Sequence, residues 1–215
     1  LLGWLHRSGI WRLAFLDDAA AVFVRRRSGV GGPDLDLDGE ALFPPLPGRL
    51  GRDDFERRRA RANLLYALHR YDRALSLGEK NAARYPDDAG AAYDRARFLF
   101  ATGNAAAGDV VLDGLLRERP GDARLMARAA DLRVAAGRRD EAAALYDAAL
   151  ALDPTLENAL AARARLAVET GDPETARALY RRLLEILAPA DPAHAAISKR
   201  LRRIGDDPPL RRGGE

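Results

Sequence analysis

Two ladders of helix-breaking residues run through this sequence with one common step. Pro86, Pro120 and Pro154 stand 34 residues apart, and Gly103, Gly137 and Gly171 keep the same interval. Proline lacks a backbone donor and biases the residue before it away from helix, whereas glycine readily takes the left-handed conformation that closes one. Two independent breaker series sharing a period restrict the chain to a tandem array, each unit being helix, turn, second helix and stop. Four blocks align without a gap: 55–88, 89–122, 123–156 and 157–190.

The aligned positions have a physical logic. Ala62, Ala96, Ala130 and Ala164 occupy the eighth position, and Ala74, Gly108, Ala142 and Ala176 the twentieth. Side chains this small let the two helices of a hairpin approach closely. The turn glycine is the fifteenth residue, and only the first block departs, with His69 there. Between the breakers apolar residues recur at helical spacing, as in Leu132, Val134, Ala142, Leu145, Tyr146, Ala149 and Leu150. One hairpin cannot bury such a stripe alone, but stacked neighbours can, so the array is expected to be a solenoid. Composition agrees, since 43 alanines against eight Ser and Thr residues in 215 favour helix. A last helix is expected over 191–205, with Asp191 as N-cap and Pro192 at the first helical position. Its Lys199, Arg200, Arg202 and Arg203 would solvate the open end of the stack, and 206–215, rich in Pro, Arg and Gly, reads as a flexible tail.

These blocks resemble tetratricopeptide repeats. The third carries the resemblance best, running from Gly137-Arg-Arg-Asp-Glu-Ala142 through Tyr146 and Ala149 to Asp153-Pro154. Departures are Met126 and Leu160 where the fourth position is usually aromatic, and Asn81, Leu115 and Leu183 where position 27 is usually small. The resemblance implies an all-α helical-hairpin solenoid coiled as a right-handed superhelix, with the first helix of each hairpin lining a concave face. Positions two, five, nine and twelve of those helices would then meet a partner. Here they include Arg59, Asn63, Tyr66, Tyr93, Arg97, Phe100, Arg124, Asp131, Asn158 and Arg165. Aromatic rings bury area at low entropic cost and guanidinium pairs with carboxylate in two-pronged fashion, so a protein or peptide ligand is implied. Some members of the family hold a C-terminal carboxylate with a Lys-Asn-Asn-Lys-Arg set, and the matching positions are Arg59, Asn63, Asp94, Arg124 and Arg128. Asp94 puts an anion where an amide should donate, which opposes that use; it is expected to neutralise Arg124 or Arg128 instead.

Ahead of the repeats, Trp11, Leu13 and Phe15 alternate with Arg12, Ala14 and Leu16, Asp17 and Asp18 interrupt, and Ala21 to Val24 supplies a second β-rich run. Residues 1–27 thus read as a short N-terminal β-hairpin, and two strands are marginal alone, so it is expected to be the edge of an upstream domain. The absence of a starting methionine makes an excised or processed piece the expectation. The segment WRLAFLDDAAAVFVR also resembles the tail of multi-pass bacterial membrane glycosyltransferases of the protein mannosyltransferase type. That resemblance implies a parent whose catalytic part lies elsewhere, and a place on the periplasmic face of the inner membrane. The alternative is a free-standing, cytoplasmic adaptor. Residues 28–51, rich in Gly, Pro and Asp, read as a linker. Within it Asp34 to Glu40 has the alternating carboxylates of a calcium loop, but Pro45 stands where a closing glutamate is needed, so a solvated acidic linker is the expectation.

No chemistry-bearing motif appears. Cysteine is absent, and His6, His69 and His194 form no helical metal pair. Ser8, Ser28, Ser76 and Ser198 lie in no nucleophile elbow, and no phosphate-binding glycine loop is present. A non-catalytic chain without cofactor or metal is therefore expected. The net charge of +3 on 35 basic and 32 acidic residues, and an Arg57, Arg58, Arg59, Arg61 run that wraps around its helix, point away from nucleic acid. Nowhere do about 18 apolar residues run uninterrupted, so the chain itself is not expected to span a membrane.

Overall fold

The computed structural model describes the backbone of residues 11–16, 21–25 and 52–206, and side chains within 55–204 apart from residue 57. The linker with its Asp34–Glu40 segment and the residues after 206 lie outside the described residues. Strands β1 (Trp11–Leu16) and β2 (Ala21–Arg25) pair antiparallel, with Trp11 opposite Arg25 and Leu16 opposite Ala21. The register slips between Leu13 and Phe15, leaving Ala14 as the extra residue of a bulge. Nine helices follow among the described residues: α1 (Arg52–Ala67), α2 (Tyr71–Arg84), α3 (Ala89–Ala101), α4 (Ala105–Glu118), α5 (Ala123–Ala135), α6 (Arg139–Leu152), α7 (Glu157–Glu169), α8 (Pro173–Ile186) and α9 (Pro192–Asp206). The fold is an all-α array of helical hairpins, as the two breaker ladders require.

The hairpin turns explain the glycine ladder. Gly103, Gly137 and Gly171 have φ of 83°, 78° and 75°, the left-handed region a Cβ disfavours. Each donates its N–H three residues back, and the next residue donates five residues back, as in Gly103 to Phe100 and Asn104 to Leu99. This Schellman pairing satisfies the last carbonyls of each first helix. His69 makes the same two-bond closure at φ 62°, so the first hairpin uses the same turn without glycine. On the incoming side, the Asp88, Asp122 and Asp172 carboxylates accept N–H bonds from Ala91, Leu125 and Thr175 and cap α3, α5 and α8. Asp191 accepts from Ala193 at the start of α9, as its place before Pro192 predicts.

The chain divides into two compact units, Leu1–Leu115 and Leu116–Glu215. In the first, α1 packs on α2 and α2 on α3. Ala62 and Ala74 are buried at the helix crossing together with Leu65, Leu68 and Phe98. The Phe98 ring lies so close to Gly78 that a Cβ there would meet it at 2.7 Å, which is why glycine occurs inside α2. In the second unit α5 to α9 pack in sequence order around Ala130, Ala142, Ala164 and Ala176, all fully buried, with Tyr146, Tyr180 and Leu160 filling the space between them. Ile197, Leu201 and Ile204 bring α9 onto this core.

Candidate functional site

In the first unit α1 presents Arg59, Asn63 and Tyr66 at i, i+4 and i+7, on one stripe facing α3. Asp94 of α3 is the centre of the arrangement. Its carboxylate is buried, accepts from Arg59 Nε at 2.6 Å, and receives the Arg97 Nη2 donor at 3.3 Å. The same Arg97 nitrogen donates to Asn63 Oδ1. The Arg97 guanidinium stacks over the Tyr66 ring at 4.5 Å and lies 4.9 Å from that of Phe98. Burial disfavours the Arg59 cation, but the hydrogen bond and charge of Asp94, aided by Glu56 and Asp88, outweigh it and raise its pKa above the ordinary arginine value.

The structure thus brings Arg59, Asn63, Tyr66 and Arg97 together, and it places the counter-charge where spacing alone did not. Asp94 was expected to neutralise Arg124 or Arg128; it instead clamps Arg59 and Arg97. The signal lay in the repeat itself, because Asp94 stands 35 residues after Arg59, one step past the 34-residue period, where successive first helices face one another. The other two predicted residues are less available. Tyr93 is only 6% exposed and belongs to the core, and the Phe100 ring is laid over Gly108 of α4, where a Cβ would approach it at 2.9 Å.

In the second unit Arg124 and Asn158, both exposed, come together at a cavity of about 510 Å³. Arg128, Asp153, Thr155, Leu156 and Glu157 complete its lining. The walls come from the start of α5, the α6–α7 turn and the start of α7. Asp153 is held by the Thr155 N–H and hydroxyl, at 3.0 and 2.8 Å. Arg124 makes no hydrogen bond or ion pair among the described residues. Asp131, though exposed, accepts from the Tyr146 hydroxyl, and Arg165 is exposed without lining this cavity. The lining thus holds two guanidinium groups, of which that of Arg124 is unpaired among the described residues, two carboxylates, the Asn158 amide and the apolar Leu156. Among the described residues no group of His, Asp and Glu is placed to hold a metal ion.

A tetratricopeptide-repeat family model matches residues 133–201, from the end of α5 into α9. The hairpin fold is tetratricopeptide-like. A thermophilic tetratricopeptide protein of Thermus thermophilus superposes with a TM-score of 0.58 at 25% identity, over 72% of this chain and 82% of its own. MamA from residue 41 onward, of Desulfovibrio magneticus RS-1, superposes with a TM-score of 0.51 at 20% identity, over 63% of this chain and 76% of its own. No curated protein matches the sequence. Stacked hairpins of this kind are an architecture of protein–protein interaction scaffolds.

Proposed function

We propose that this chain is a non-catalytic scaffold that holds a peptide segment of a partner protein on the first helices of its hairpins. Arg124 carries the proposal: it is an exposed, unpaired arginine in a cavity shared with Asn158 and Leu156. Arg59 and Arg97 are already paired with Asp94, whereas Arg124 has no partner among the described residues and can meet a partner carboxylate. Tyr66 with its stacked Arg97, partly exposed, supplies a second contact in the first unit. Selection of peptides from a display library on the immobilised full chain tests this. Arg124→Ala with Asn158→Ala should weaken the selected peptides about tenfold while Tm barely moves. Peptides that bind equally well to that variant and to Tyr66→Ala would show that the partner docks elsewhere.

The setting that the WRLAFLDDAAAVFVR resemblance suggests is the bacterial envelope. There the chain would be the soluble C-terminal region of a membrane glycosyltransferase-like protein, on the periplasmic face, positioning a partner near the catalytic part. Among the described residues no helix is long and apolar enough to cross a membrane. The second reading is a free-standing adaptor using the same contacts. The reading frame upstream of Leu1 separates them: long apolar segments there favour the first, and their absence favours the second.

A further inference from the structure

Helix α9 carries basic residues with no acidic residue interspersed. Between Pro192 and Gly205 there is no acidic residue, while Lys199, Arg200, Arg202 and Arg203 all occur. The stretch therefore carries four cations and no anion, a local charge as large as the net +3 of the whole chain. Several arginines elsewhere do find carboxylates: Arg59 and Arg97 pair with Asp94, Arg133 and Arg138 with Glu141, Arg163 with Asp147, Arg177 with Glu174. The four cations of α9 are exposed and have no partner among the described residues. Arg177 also donates to the Ile204 carbonyl at 3.3 Å, which ties the end of α9 to α8.

The packing of α9 decides what this face can do. Ile197, Leu201 and Ile204 are turned into the core. At 100° per residue the opposite arc holds Ala195, Ala196, Lys199, Arg202 and Arg203, with Arg200 exposed on its flank, a surface of small side chains and cations with no large apolar group to insert. We propose that this face of α9 adsorbs electrostatically, without penetration, on an anionic phospholipid surface. A flat, uniformly negative bilayer suits a compact patch on one helix. A nucleic-acid strand would run on past the patch toward α8, where Glu174 and Glu185 are mixed with Arg177, Arg181 and Arg182. The inference does not depend on the peptide contacts or on the parent protein proposed above.

Each cation near such a surface is worth about a fivefold gain in partitioning, so four give between two and three orders of magnitude. Flotation of the full chain with vesicles of pure phosphatidylcholine, or with about 30% phosphatidylglycerol added, reads this directly. Binding to the anionic vesicles alone, released by raising salt from about 0.1 to about 0.5 M, is the expected result. Replacing Lys199, Arg200, Arg202 and Arg203 by Gln should lower partitioning about a hundredfold or more with the melting curve unchanged. Arg200→Lys, Arg202→Lys, Arg203→Lys together should bind as the parent does, because charge and not fork geometry is read. Three results would overturn the proposal: equal flotation with neutral vesicles, full binding by the Gln variant, or tighter binding to a duplex or single-stranded oligonucleotide than to anionic vesicles.

Discussion

The first and third hairpins follow one 34-residue plan and depart from it to different degrees. In the third, Gly137 makes the turn, Ala142 fills the crossing and Ala149 sits buried at position 27. In the first, His69 makes the turn at φ 62° and position 27 is Asn81, buried with its Oδ1 unpartnered among the described residues. Its first helix α1 also faces a buried carboxylate, Asp94 of α3, whereas the equivalent position of α7, the next first helix after α5, is the buried Ala162. Small residues at the crossing are common to both, whereas the costly choices gather in one hairpin. The array tolerates them because the crossing and the turn geometry fix the hairpin, while the other positions need only fit their local neighbours.

The sharpest way to break this comparison is Asp94→Ala. It strands two guanidinium groups, and with Arg59 and Arg97 still 29% and 22% exposed the loss should be about 2–3 kcal/mol, below that of a fully buried pair. Asp147→Ala, which frees Arg163 from a carboxylate that is 56% exposed, should cost under about 1 kcal/mol. Urea midpoints of the two variants measure the difference. Equal midpoints would mean the Asp94 cluster contributes no more than a surface pair.

Next in size are the turns. Gly137→Ala should destabilise by about 1–2 kcal/mol, because it places a Cβ at φ 78°. His69→Gly should stabilise by up to about 1 kcal/mol, less what is lost with the exposed His69–Tyr71 hydrogen bond. Asn81→Leu, which installs the residue found at the same position as Leu115 and Leu183, removes an unpaired buried acceptor and keeps the branched shape while adding volume, and should gain up to about 1 kcal/mol. A fall in Tm for both of these first-hairpin variants would show that its departures are favourable in place.

Much of the hairpin fold was legible because it rests on local rules: breakers, small crossing residues, and caps such as Asp191 all act within a few residues of themselves. The site was only partly legible. Arg59, Asn63, Tyr66 and Arg97 could be assigned to one face from the period, but whether a side chain on that face meets solvent or its neighbours depends on contacts between helices. Tyr93 and Phe100 share the spacing of Arg97 yet pack inward, as rings pack where a core or a glycine admits them. The cavity at Arg124 and Asn158 needed Asp153 and Thr155 of the α6–α7 turn, which lie outside the ligand-facing positions. Asp94 was visible as an anomaly, and only the geometry names its partners.

The smallest effect separates the starts of α7 and α8. Leu156 precedes α7 without a side-chain cap, whereas Asp172 caps α8 by accepting from Thr175. The Thr175 bonds hold the Asp172 pKa below the usual carboxylate value, with Arg163 assisting. A depressed folded-state pKa means the stabilisation is fully present above the unfolded value near 3.9 and is lost as pH falls through the lower, folded one. Asp172 is largely solvated, so Asp172→Ala should cost about 0.5–1 kcal/mol at neutral pH, most of it from the cap itself. The gap between parent and variant should be constant from pH 7 to about pH 5 and narrow below pH 4. Thermal melts across that range measure it; a gap that widens on acidification would mean the carboxylate is better accommodated protonated, and that α8, like α7, starts without help from a charged cap.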